Sequence, residues 1–417
     1  MSKVQDVFVV GAARTPIGKK SGGLSRVHPV TLGEIVSKEV VKRAGISQEA
    51  ANQVVKECNW GCATQSAEQG FNVGRLIAEK AFGFRMPAST VNMLCGSSAK
   101  AIRDAVYAAS SGGKDTDVIL VGGIENNLMV GMGQDMIPFT PSLKGIIKNA
   151  WKVIRSAKRP EKIIIPSLPK DYMFHTMQKS GDAIARTYKF SRQTLDEFAC
   201  RSQNLATLAT SEGRFEKEIV SVQTPIGIVS IDEGIRSDTN LTTLGKKLKP
   251  SLGRSGLHTA GSSSQISAGA AALLIANEDA VKEYNFKPMA RVVASSIVGT
   301  NPRVADQQLL GPIEAVKKVL AKANLTIDEI DLFEINEAFA SVVLATQQEL
   351  NIPIEKINVN GGAIALGHPL GASGARLPVT LLHEMERREN EGIKCRYGLS
   401  VLCIGAGQAI ATIFERV

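Results

Sequence analysis

The chain repeats itself. An apolar strand running into a loop, "KVQDVFVVGAARTP", opens the sequence, and "MARVVASSIVGTNP" has the same form near residue 290. "TLGEIVSKEVVKRAGISQEA" (31–50) matches "GPIEAVKKVLAKANLTIDEI" (311–330). In the first, Leu32, Ile35, Val36 and Val40 share one helical face; in the second, Val316, Val319, Leu320 and Ala323 do. "STVNMLCGSSAKAIRDAVYAA" then pairs with "INVNGGAIALGHPLGASGARLPVTLL", and "TDVILVGGIENN" with "YGLSVLCIGAGQ". Each half reads strand, helix, strand, Gly-turn, helix, strand. Such alternation predicts an α/β fold with a mostly parallel sheet covered by helices. Two such halves predict a pseudo-twofold with a site between them.

One stretch breaks the repeat. Residues 124–256 hold a basic run and the helical segment "SGDAIARTYKFSRQTLDEFACRSQNLATLATSEGRF". They read as an insertion of the kind that covers a ligand. The expected domains are an N-terminal half (1–123 with 257–288), a loop or lid domain (124–256) and a C-terminal half (289–417).

At 417 residues the chain can bury more than one core. No apolar run is long enough to span a bilayer. The N-terminal apolar stretch passes straight into a strand and loop, so it reads as structure and not as a signal peptide. Six cysteines in so long a chain make no disulfide framework, and a reduced, cytoplasmic setting is expected. Cys58 and Cys62 stand four apart without a second pair at zinc spacing, so no metal site is expected. The net charge of +9 is partly local, since residues 142–170 carry eight Lys/Arg against one Glu. That segment is either a solvated helix face or an attractor for a phosphate-bearing ligand. Aromatic content is 5% and no nucleic-acid-reading motif is visible, so nucleic acid is not an expected partner.

Four segments could carry chemistry. In "TVNMLCGSSAKAI" (90–102), Cys95 falls where a strand stops and a helix starts. A helix N-terminus favours thiolate, and Gly96 would let a substrate approach the backbone. Taken alone, cysteine is more often an inert core residue. In "NVNGGAIALGHPLGASGAR" (358–376), six residues are Gly or Pro. This reads as a tight loop presenting His368, with regular helix expected only after Gly374. Histidine can take a thiol proton or donate to an oxyanion, or simply bond to the backbone. In "SVLCIGAGQ" (400–408), Cys403 ends an apolar strand before Gly405 and Gly407, whose turn could offer N–H groups to an oxyanion. In "FEINEAFAS" (333–341), Asn336 could hold a water or carbonyl, or cap a helix.

Together these segments closely resemble the thiolases, the acetyl-CoA acetyltransferases and 3-ketoacyl-CoA thiolases. The likeness runs from "VVGAARTPIG" to "CIGAGQ" through "NEAFA" and "GGAIALGHPLGASGAR". The resemblance implies a five-layered αβαβα fold of two pseudo-twofold-related βαβαβ-type halves with an inserted loop domain. It implies an acyltransferase with no prosthetic group and coenzyme A as substrate and product. Cys95 would carry the acyl group, His368 would accept its proton and Cys403 would act as acid or base. Asn336 would hold a water for one oxyanion hole, and Gly405 would serve the other with Cys95. Ser264, Arg236, Met177 and Phe339 are the matched coenzyme A positions. A homodimer or homotetramer is implied, and association with other fatty-acid oxidation enzymes.

Where many thiolases carry a loop-domain histidine, this chain has Thr176, next to His175; "RVADQQLL" before Gly311 also departs. Acyl-chain preference therefore stays open. The rival readings are a ketosynthase-like or hydroxymethylglutaryl-CoA synthase-like condensing enzyme, which would lack Cys403, and a non-catalytic acyl-CoA-binding scaffold, which would not need the full set.

Overall fold

The computed structural model describes residues 4–136 and 174–417. The basic stretch 142–170 lies outside the described residues.

The strands are β1 (Val7–Arg14), β2 (Glu57–Gly61), β3 (Ala88–Val91), β4 (Val118–Asn126), β5 (Val222–Thr224), β6 (Gly227–Val229), β7 (Ala268–Asn277), β8 (Ala290–Gly299), β9 (Leu332–Ile335), β10 (Tyr397–Ile404) and β11 (Gln408–Arg416). Nine of them follow the order β3-β2-β4-β7-β1-β8-β11-β10-β9. Read outward from the β1–β8 join, β1-β7-β4-β2 on one side answers β8-β11-β10-β9 on the other. This is the sequence repeat written as topology. The join itself is slight: Phe8 faces Arg291 and Val9 faces Ala290.

The sheet is mixed, not mostly parallel. β2–β3, β2–β4 and β9–β10 pair parallel. The last strand of each half, β7 or β11, runs back antiparallel between its neighbours. Alternation of helices and strands fixes the crossovers but not the direction of that closing strand.

Strand side chains alternate between two cores, as period two demands. In β4, Val118 and Leu120 join the outer core with Leu32, Val36 and Val40 of the Pro29–Arg43 helix. Ile119 and Val121 join the inner one, with Ile102 and Ala105 of the Ser97–Ser110 helix and Val379 and Leu382 of the Leu370–Asn390 helix. With both faces covered, the strand reads as one unbroken apolar run, and each large aliphatic side chain buried there contributes about 1.5–3 kcal/mol. The second half has its own outer core, where Val316 and Val319 of the Gly311–Ala323 helix meet Leu399, Val401, Ala409 and Ala411. The Leu370–Asn390 helix touches strands of both halves, and the Ser97–Ser110 helix lies beside it. The layers are therefore helix, half-sheet, paired central helices, half-sheet, helix.

A buried ionic knot ties the insertion to this frame. At the end of β1, Arg14 donates from Nε to Glu218 at 2.5 Å and from Nη1 and Nη2 to Asp232 at 2.7 and 2.9 Å. Glu218 also accepts from Thr380 of the central helix, and Asp232 from the Ile17 N–H. All three ionic side chains are 0–1% exposed.

Candidate active site

Cys95 stands on a strained turn. Leu94 adopts a left-handed φ of 49°, which a leucine avoids. The conformation is held locally: Asn92 Oδ1 accepts the Leu94 N–H at 2.9 Å, and the Ser97 hydroxyl accepts the Met93 N–H and donates to Leu94 O. Strain of this kind costs on the order of 1–3 kcal/mol and persists where the surroundings over-determine it. It sets Cys95 two residues before the start of the Ser97–Ser110 helix. Gly96 also makes room for the other half. A Cβ there would lie 2.3 Å from Ile404 Cδ1. The missing side chain admits the tip of β10 and so lets the Cys95 turn close on the Cys403 strand.

The two thiols meet across the halves. Both line one cavity of about 660 Å³ with His368, Gly405, Met177, Phe339, Ser264 and Arg236. The Gly405 N–H donates to Cys95, which offsets part of the effect of burial and leaves the thiol raised to about 11. Cys403, 2% exposed, is pushed up further, by burial first and then by the neighbouring Cys95.

His368 is 5% exposed and its tautomer follows from its partners. The Ser373 hydroxyl donates to Pro369 O at 2.9 Å, so it accepts from His368 Nδ1–H at 2.6 Å. Nε2 then carries a lone pair, and Asn336 Nδ2 donates toward it at 3.4 Å. Burial, helped by Arg376, pushes the imidazole down to about 3, so it is neutral near pH 7. Asn336 is 1% exposed, and its Oδ1 has no hydrogen-bond partner among the described residues. The Asn336 side chain is not a helix cap; Phe339 holds the N-cap position of the Ala340–Leu350 helix.

The segment after His368 is helical from Leu370 onward, not from beyond Gly374. Its glycines are contact points. A Cβ on Gly374 would meet the Ala99 nitrogen at 2.4 Å, and one on Gly371 the Cys62 Cα at 2.6 Å. Small residues thus let the two central helices start side by side, one near Cys95 and one near His368. Two buried carboxylates hold the surrounding loops. Glu125 accepts the N–H groups of Ala63, Thr64 and Gly371. Glu337 accepts from Ser202, Asn358 and the Ile364 N–H.

Ser264 lies along the Asn336 segment, its N–H donating to Ala338 O at 3.0 Å. Phe339 packs edge-on to His258 at 5.3 Å. Thr176 lines the cavity and also caps the Met177–Thr187 helix, accepting the Lys179 N–H. His175 does not line it; its Nε2 donates to Arg303 O. Lys19 and Lys20 line the cavity without having been anticipated. Their run, "PIGKKSGG", holds no signal beyond charge.

A thiol-bearing turn, a second thiol and a neutral imidazole share one cavity of a layered α/β fold, an arrangement suited to acyl transfer. The comparisons carry this to a family. Residues 7–279 match the family model "Thiolase, N-terminal domain" and residues 286–416 match "Thiolase, C-terminal domain". The chain belongs to the thiolase family, and is an acyltransferase. It is 38% identical to a 3-ketoacyl-CoA thiolase of Klebsiella pneumoniae and 37% identical to a beta-ketoadipyl-CoA thiolase of Acinetobacter baylyi, in each case over 99% of this chain and 100% of the relative. The human mitochondrial 3-ketoacyl-CoA thiolase structure superposes with a TM-score of 0.83 at 31% identity, covering 100% of both chains, and a second structure of that protein holds CoA.

Proposed function

We propose that the chain cleaves 3-ketoacyl-CoA by thiolysis, and runs the reverse condensation, with Cys95 as nucleophile. The observation that carries this is the convergence of one thiol from each half beside an unprotonated imidazole nitrogen. Cys95 sulfur adds to C3 of the substrate while His368 Nε2 takes its proton. A thiol near 11 and an imidazole near 3 do not exchange a proton at rest, so transfer accompanies C–S bond formation. The C3 oxyanion faces the N–H groups of Gly405 and Cys95, while the new Nε2–H and the Asn336 amide face the thioester oxygen, which takes up charge as the C2–C3 bond breaks. The C2–C3 bond breaks, its electron pair passes to C2, and Cys403 protonates C2 to release acetyl-CoA. The acyl group stays on Cys95 as a thioester. Coenzyme A thiol gives its proton to the Cys403 thiolate and attacks that thioester, with the N–H groups of Gly405 and Cys95 facing the second oxyanion. Cys95 leaves and recovers its proton from His368. Atoms balance without a prosthetic group.

Met177, Leu309, Phe339 and Leu370 give the cavity apolar walls suited to an aliphatic acyl chain. A kcat/KM series over 3-ketoacyl-CoA chain lengths tests the proposal. Thiolysis is expected for at least part of the series, with the acyl-enzyme on the Cys95 peptide; no turnover at any length sinks it.

The same proposal takes the protein to be a cytoplasmic homo-oligomer. No helix among the described residues is long and apolar enough to cross a membrane. β3 is the last strand of its half-sheet and among the described residues pairs with β2 alone, and Phe71 and Phe84, on either side of the Val73–Phe82 helix that precedes it, are 93% and 74% exposed. An unpaired edge beside apolar surface is what a second copy covers. Light scattering should return two or four times the 44.5 kDa chain mass; a monomer at assay concentration would refute the oligomer.

A further inference from the structure

The cavity wall is electrically one-sided. Among the described residues that line it, the charged side chains are Lys19, Lys20 and Arg236, and none is Asp or Glu. All three are exposed, and none forms an ion pair among the described residues. Yet two carboxylates, Asp232 and Glu233, lie in the loop that bears Arg236. Asp232 is consumed by Arg14 and by the Ile17 N–H at 2.8 Å. Glu233 turns away to the Gly23 N–H at 2.6 Å and the Lys19 N–H at 3.3 Å, while its own N–H donates to Ile17 O at 2.9 Å. The acids thus stitch residues 17–23 to residues 232–236 through backbone groups. The Arg236 N–H is pinned in turn by Gln203 Oε1 at 2.8 Å. What the stitched loops leave free at the cavity is cationic side chains on a rigid backbone.

We infer that Lys19 and Lys20, facing the same cavity as Arg236, form a phosphate clamp that selects substrates carrying a 3′-phosphorylated nucleoside diphosphate tail over the same thioester on bare pantetheine. The inference rests on the coenzyme A thioester reading above and adds two residues to it. A cluster of unpaired cations draws a polyanion toward the opening and holds it by charge-assisted bonds. Exposed at the rim, the lysines act on binding and not on the thiols, and salt screens them.

The test compares wild type, Lys19→Gln, Lys20→Gln and the double variant on acetoacetyl-CoA and on acetoacetyl-pantetheine. Lys282→Gln, on the outer surface, serves as the control. The double variant should raise KM for the CoA thioester about tenfold or more at low salt, with kcat held. The gap should shrink as salt rises, and KM for the pantetheine thioester should not move. Adenosine 3′,5′-bisphosphate should inhibit wild type competitively and the double variant about tenfold more weakly. An unchanged ratio of the two KM values, or an equal rise in both, overturns the clamp and leaves the thiolase reading standing. If wild type turns over neither thioester, both readings fall together.

Discussion

Cys95→Ala is expected to abolish turnover, and Cys403→Ala to stop it at a different step. Without the first thiol no acyl-enzyme forms, and loss of a covalent nucleophile lowers kcat by on the order of 10⁴ or more. Without the second, the Cys95 turn, Gly405 and the His368–Ser373 pair are untouched, so acetyl-CoA still acetylates Cys95. Making or breaking the carbon–carbon bond then lacks its acid and base, a loss of about 10²–10⁴. Mass spectrometry of the Cys95 peptide after mixing with acetyl-CoA separates the two cases. The adduct should be absent in Cys95→Ala and present in Cys403→Ala. Residual normal turnover in the first, or a missing adduct in a folded second, contradicts the division of labour between the two sulfurs.

The largest expected loss of stability lies away from the thiols. Arg14→Ala leaves Glu218 and Asp232 buried without their cation, and breaking one side of such a buried set costs about 3–5 kcal/mol. Lys282→Ala, which removes an exposed and solvent-screened pair with Glu278, should leave the midpoint essentially unchanged. Denaturant midpoints for the two variants against wild type decide the matter. Equal midpoints for Arg14→Ala and wild type would mean the knot holds nothing. Because Asp232 and Glu233 also fix the loop bearing Lys19, Arg14→Ala should raise KM for the CoA thioester at temperatures where the variant is still folded.

Much of this site could be read before any coordinates. The repeat fixed which strands answer one another, and the loops at Cys95, His368, Cys403 and Asn336 stood out because small and turn-forming residues there carry reactive side chains. Cys95, His368 and Cys403 line one cavity, and Asn336 stands against His368. What stayed hidden depends on partners distant in the chain. The neighbour of Gly96 is Ile404, more than three hundred positions away, so its role as a contact point had no local mark. Gly371 and Gly374 look like loop residues by propensity, but burial against Cys62 and Ala99 makes them helix residues. Lys19 and Lys20 resemble any exposed pair until Glu233 is seen turned toward the backbone. The antiparallel return of β7 and β11 was invisible because an apolar run has no arrow.

β7 has one more effect. It sits between β1 and β4, which do not pair with each other, yet it is encoded after the whole insertion. As the polypeptide leaves the ribosome, the first sheet must wait for residue 277 before its middle is filled, with the edges of two apolar strands open in the meantime. The long detour through the insertion is therefore also a delay in assembly, and the stretch of synthesis before that strand emerges is when open strand edges are most exposed to mispairing.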